Sequence, residues 1–250
     1  MAKQPAKTDR QAVIDQMRKK QKSAERRRGT VIVVTCVVIA LAIVGIAVVP
    51  IVIDKMNARE LNGTALADLG SPASVCQKVT TKKADGNQEH VPVGTEVDYP
   101  DSPPAFGKHW NQAGVAPAPF ARKFYTDDRP EIEALVHNLE HGYTILWYDD
   151  SIADDKDALA DVKAIAEKFD GTSQRDKFIA APWHKSDDDE GTFPDGQHVA
   201  LTHWSAGGTG ETDTTKQVGV WQYCSAPSGA AVEDFVKQYP YFDSPEPDAM

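Results

Sequence analysis

Three kinds of hydrophobic pattern succeed one another along this chain, and each predicts a different element. Residues 30–53 read TVIVVTCVVIALAIVGIAVVPIVI, an uncharged apolar run of 24 residues. As a helix rising about 1.5 Å per residue, such a run crosses a hydrocarbon core of about 30 Å. Residues 130–141 carry apolar positions at helical spacing behind Pro130, with acids in the first turn and Gly142 placed to close the C-terminus. A strand is predicted at 143–148. Leu159, Val162, Ile165, Ala166 and Phe169 then mark an amphipathic helix over 154–169, stopped by Asp170-Gly171. Strands at 178–183, 198–204 and 218–224 and a helix at 229–238 follow. Between 90 and 119 Pro and Gly are dense, so an ordered irregular segment is expected there, pinned by Tyr99, Phe106 and Trp110. This order predicts an α+β fold with a small mixed sheet and packed helices, preceded by a single N-terminal transmembrane helix.

The organisation expected is a basic tail at 1–29, a transmembrane helix at 30–53, a polar stalk at 54–73 and a folded domain at 74–250. Charge adds direction. The first 29 residues hold ten Lys or Arg against three acids, and Arg26, Arg27 and Arg28 abut the apolar run. The excess of positive charge places the N-terminus in the cytoplasm and the domain outside the cell membrane. An uncleaved anchor is expected rather than a signal peptide, because the run is long and ends without a small-residue cleavage site. The remainder carries 17 bases against 34 acids, which excludes the basic footprint that a nucleic-acid partner requires. The tail's attraction to anionic lipid makes the bilayer its expected partner.

Cys36 lies inside the apolar run; Cys76 and Cys224 lie outside it, near the two ends of the domain. In an oxidising compartment that pair is expected to form a disulfide, since neither has Cys-x-x-Cys spacing.

The candidate chemistry is in LVHNLEHGYTILWY, residues 135–148. On a helix His137 and His141 lie about 40° apart and Glu140 about 60° to the other side of His137. Histidines at i and i+4 can share a metal ion, and the intervening glutamate can ligate, orient a ring or act as a base. The bland alternative is a solvated polar helix face. His90, His109, His137 and His141, four of the chain's seven histidines, fall within 52 residues, and His109 sits among aromatics where a solvated imidazole gains little. His90, His109, His137 and His141 are therefore the candidate metal ligands. Imidazole without thiolate suits zinc or copper(II), and the absence of Met between Met56 and Met250 argues against copper(I). His203 alternates with Leu201 and reads as a satisfied, partly buried histidine; His184 and His198 flank an acidic loop. The run Asp187-Asp188-Asp189-Glu190 lacks the spacing of a calcium loop.

The segment PPAFGKHW, residues 103–110, followed about 30 positions later by VHNLEHGYTILWY, resembles the mostly actinobacterial membrane-anchored proteins of domain-of-unknown-function family 3105. Phe106 stands where the family's Pro-Pro-x-Ser-Gly-x-His pattern has serine, and His109 keeps its place. The resemblance implies a high-GC Gram-positive envelope and one site built from His109, His137, Glu140 and His141; it implies no reaction.

Three functions are expected in decreasing order. The first is an anchored, non-enzymatic binding protein holding zinc or copper. The second is an accessory subunit of a larger membrane complex, such as a respiratory assembly, docking through Tyr99, Phe106, Trp110, Phe120 and Phe124. The third is a zinc hydrolase in which Glu140 of His-x-x-Glu-His activates water, disfavoured because Gly142 ends the helix at once and no third ligand follows downstream.

Overall fold

A computed structural model of the chain describes residues 9–84 and 88–249. It divides into two units, one ending at Glu60 and the other beginning at Leu61. The first holds helix α1, Asp9–Gly63, up to Glu60; within it Val13–Val44 is long and apolar enough to cross a membrane. Its apolar side chains, among them Val31, Ile32, Val33 and Leu41, are exposed.

The helix differs from the expected organisation at its C-terminal end. The stretch 54–73, expected as a stalk, stays helical to Gly63, because DKMNAREL contains no breaker and Asn62-Gly63 is the first stop signal. Past that stop the chain joins the folded unit. Leu66 and Leu69 pack on its core, Ser71 N donates to Pro227 O at 2.8 Å and Gly229 N to Leu69 O at 2.9 Å.

The folded unit is built on a five-stranded mixed sheet. Its strands are β1 (Thr80–Lys83), β4 (Thr144–Asp149), β5 (Phe178–Trp183), β6 (Val199–Ser205) and β7 (Val218–Cys224), in the order β1-β7-β6-β4-β5. Only β4 and β5 are parallel. Their crossover consists of α3 (Asp150–Asp154) and α4 (Lys156–Glu167), as a parallel pair requires. The helix expected over 154–169 is α4, and the short α3 precedes it. Asp149 caps α3 by accepting from Ser151 N and Ile152 N, and Asp155 caps α4 in the same way.

Period-2 alternation sends side chains to both faces. Leu146, Tyr148, Phe178, Leu201 and Val220 pack with α4 and with α5 (Gly229–Gln238). Ile145, Trp147, Ile179, Trp204 and Trp221 face the other way, toward α2 (Ile132–Glu140) and the 90–119 segment. Within that segment two short strands, β2 (His90–Val91) and β3 (His109–Trp110), pair in parallel with His90 opposite His109. Tyr99, Phe106 and Trp110 are only 3%, 8% and 8% exposed, and Phe120 packs on the same core. The aromatic docking surface expected of an accessory subunit is thus absent at these positions: the rings fill the space over the tryptophans of the sheet, where burial gains about 25 cal/mol per Å².

Cys76 and Cys224 are joined in a disulfide, linking the start of the unit to the end of β7. Closing so long a loop restricts the unfolded chain by up to about 5 kcal/mol in the chain-entropy view.

Gly142 has φ +89°, and a Cβ there would stand 2.1 Å from Tyr241 O. It both ends α2 and admits the C-terminal tail against it. Gly142→Ala is expected to cost about 1–3 kcal/mol and to lower the thermal midpoint by several degrees; an unchanged midpoint in a calorimetric scan would show that the tail does not press on this turn.

Candidate metal centre

Helix α2 is buried on every side. Its apolar positions meet the sheet, yet Glu133, His137, Asn138 and Glu140 are also buried, so the alternative of a solvated polar face is ruled out by the fold. A buried polar side chain must find a partner, and the partners come from distant segments. Asn138 Oδ1 accepts from Ala118 N at 2.8 Å while its Nδ2 donates to Ala118 O at 3.1 Å, which holds the irregular segment against the helix. Glu140 Oε1 accepts from Gln88 Nε2 at 2.9 Å, and Gln88 is itself held by Gln217 Nε2 at 3.0 Å.

The segment so held brings His90 and His109 to His137. Ring centroids lie 4.9 Å apart for His90 and His109, 4.8 Å for His109 and His137, and 5.4 Å for His90 and His137. His109 and His137 are oriented alike. His109 Nδ1 stands 2.8 Å from Gly107 O and His137 Nδ1 stands 2.6 Å from Trp110 O. A carbonyl only accepts, so Nδ1 carries a proton in both rings and Nε2 of each is the atom turned inward. Carbonyl-anchored imidazoles of this kind are the usual arrangement behind a metal ligand.

Ligand atoms of His90, His109, His137 and Glu140 lie within 4.8 Å of one another. His109 Nε2 is 2.9 Å and His90 Nε2 3.6 Å from Glu140 Oε2. Despite that approach, His109 Nε2 and Glu140 Oε2 are buried and make no well-directed hydrogen bond among the described residues. So close an approach of a ring nitrogen to a carboxylate in a dry site calls for a proton on the nitrogen or a metal cation beside both atoms. His90 forms the open side of the group, its side chain 41% exposed.

His141 is placed differently from the expectation of one shared site. It groups with Glu140 and Glu246. Its Nε2 is 3.0 Å from His137 Nε2 and 3.6 Å from Glu246 Oε2. Glu246 had no signal in the sequence; it lies in the acidic C-terminal tail about 100 positions away and reaches the helix only through tertiary folding. Glu140, which the sequence leaves open as a ligand, a ring-orienting group or a base, belongs to both groups.

Burial, with His141 and His109 adding, depresses the His137 imidazole to about 4. Burial also lowers His141 to about 4, against the opposing pull of Glu140. Both rings are therefore neutral at pH 7 and available as ligands. Burial would raise the Glu140 carboxyl, but His109, Gln88 and His137 beside it together hold it below its ordinary value.

The remaining histidines stand apart. His203 is buried between the carbonyls of Tyr143 and Asp243, a structural role as expected. His184 faces Asp150 and His198 faces Asp149. Ser151, His198 and Asp149 meet at the surface, but serine and carboxylate both address His198 Nδ1, so the set cannot relay a proton through the ring as a catalytic triad does. Asp187 is committed to Arg129, at 3.0 Å.

The family model for a protein of unknown function, DUF3105, matches residues 90–250. The chain belongs to that family. The matched span runs from His90 through Glu246 and so contains every residue of both groups. No curated protein and no solved structure matches the chain.

The depressed histidines predict a pH dependence for the metal-free protein. Between about 6.5 and 4 the unfolded chain takes up protons that folded His137 and His141 decline, so stability is fully present above 6.5 and is lost as pH falls toward 4. Urea midpoints at pH 7.5 and 5 should show the loss, and a His137→Gln/His141→Gln variant should show less of it; an equal loss in both proteins would place the protonation elsewhere.

Proposed function

We propose that the protein is a membrane-anchored metal-binding protein whose folded unit lies outside the cytoplasm and holds zinc or copper(II) through His90, His109, His137 and Glu140. The observation that carries this reading is the approach of His109 Nε2 to Glu140 Oε2, 2.9 Å apart and without a directed hydrogen bond, while His109 Nδ1 is committed to Gly107 O. A cation beside both atoms would satisfy them. Three imidazoles and one carboxylate form a nitrogen-rich set with no thiolate, which suits zinc(II) and copper(II).

The membrane part rests on α1 and its charge. The candidate span within Val13–Val44 is long and apolar enough to cross a membrane, and the Arg26–Arg28 cluster before its uncharged part favours a cytoplasmic N-terminus. Binding is favoured over hydrolysis because the Glu140 carboxylate stands among the ligand nitrogens themselves, the position of a ligand rather than of a base acting through a water.

The test is the metal content of the full chain, purified in mild detergent after loading with zinc or copper(II) and exhaustive dialysis. At least one equivalent is expected in the wild type, with affinity reduced 100-fold or more in His109→Ala/His137→Ala. A wild-type protein that retains neither metal refutes the proposal.

A further inference from the structure

The group around His141 is a second place where ligand atoms converge. Glu140, His141 and Glu246 offer one imidazole and two carboxylates within 4.8 Å of one another. His141 is 6% exposed, and its Nδ1 is buried with no hydrogen-bond partner among the described residues. Its Nε2 looks toward Glu246 at 3.6 Å and His137 at 3.0 Å. Glu246 is not a loose surface acid, because its backbone is fixed from both sides. Its N–H donates to Glu140 O at 2.9 Å, and the buried Lys177 Nζ donates to His141 O, Pro247 O and Ala249 O, each at 2.7 Å. One ammonium thus ties the tail to the end of α2, and the Glu246 carboxylate is delivered to His141 by backbone contacts that do not use the carboxylate itself.

We infer that this group is a second divalent-cation site, and that Glu140 bridges it to the first to make a dinuclear centre. The inference rests on the metal-site reading above. A carboxylate has two oxygens, and Glu140 is the one residue shared by the two groups. Paired metal sites that share a ligand stand about 3.5–4 Å apart, compatible with the 3.0 Å between the Nε2 atoms of His137 and His141, one on each side. The two sites differ in chemistry. The first is nitrogen-rich and mostly buried. The second is oxygen-rich, and its Glu246 side chain is 48% exposed, leaving coordination positions open to water. Harder ions, manganese(II) as well as zinc(II), suit it better than copper, and its ion exchanges more readily.

The test uses the full chain in detergent, titrated with Zn²⁺ in competition with a chelating dye and counted by elemental analysis. Wild type is expected to take two equivalents, the second at least tenfold weaker. Glu246→Gln keeps the shape of the side chain and the backbone bond to Glu140, and is expected to take one equivalent with the first affinity within about threefold. Mn²⁺ should add to singly zinc-loaded wild type, read by its paramagnetic resonance, and fail to add to Glu246→Gln. One equivalent in both proteins, or two in both, overturns the second site and leaves the first standing. An equal weakening of both equivalents in Glu246→Gln also overturns it, since Glu246 would then only support the first site. No zinc in the wild type overturns the first site and the second together.

Discussion

The constraint on which the folded unit depends is the complete burial of a helix that is polar on one side. Helix α2 carries His137, Asn138 and Glu140 into the interior, and each would cost several kcal/mol there if left unpaired. Most of the irregular chain around it serves to meet that demand. Trp110 O takes the His137 proton, the Ala118 backbone takes both ends of the Asn138 amide, and Gln88 reaches Glu140. Three buried atoms, His109 Nε2, Glu140 Oε2 and His141 Nδ1, are left without a hydrogen-bond partner among the described residues.

The sheet gives this arrangement its rigidity. Trp204, fully buried on the face toward α2, lies edge-on to His109 at 6.1 Å between ring centroids, and its indole N–H donates to Gln217, which in turn holds Gln88. The wall of the site is thus continuous with strands whose far face packs on α4 and α5. The tail is held differently, by Lys177 and by Asp243, whose carboxylate accepts from Ser205 Oγ and Gly208 N. A chain terminus is ordinarily loose; these contacts bring Glu246 within reach of His141.

Much of the architecture was legible along the chain because it is written in short-range periodicity. Strands β5 and β7 and helix α5 begin and end where their apolar patterns do, and the mixed sheet with packed helices follows from their order. The disulfide was readable from the placement of two cysteines. The helix expected over 154–169 stands at Lys156–Glu167, begun by the Asp155 side chain, which accepts from Asp157 N and Ala158 N, an acid cap that a hydrophobic wheel does not register. The first part of the stretch expected as a polar stalk is helical, and the helix ends at Gly63, where Asn62-Gly63 signals a turn.

The candidate site divides along the same line. The sequence by itself determined that His137, Glu140 and His141 share one face of a short helix closed by Gly142, because helical geometry relates residues three and four apart. Whether that face met water or protein was decided by contacts across 27 residues to Trp110 and 52 residues to Gln88, which leave no periodic trace. Only the tertiary structure set His141 Nε2 3.0 Å from His137 Nε2, made Glu140 common to two groups, and brought in Glu246. Those outcomes depend on how the loop and the tail close over the helix, and that closure is set by the pairing of buried polar groups, which no local pattern encodes.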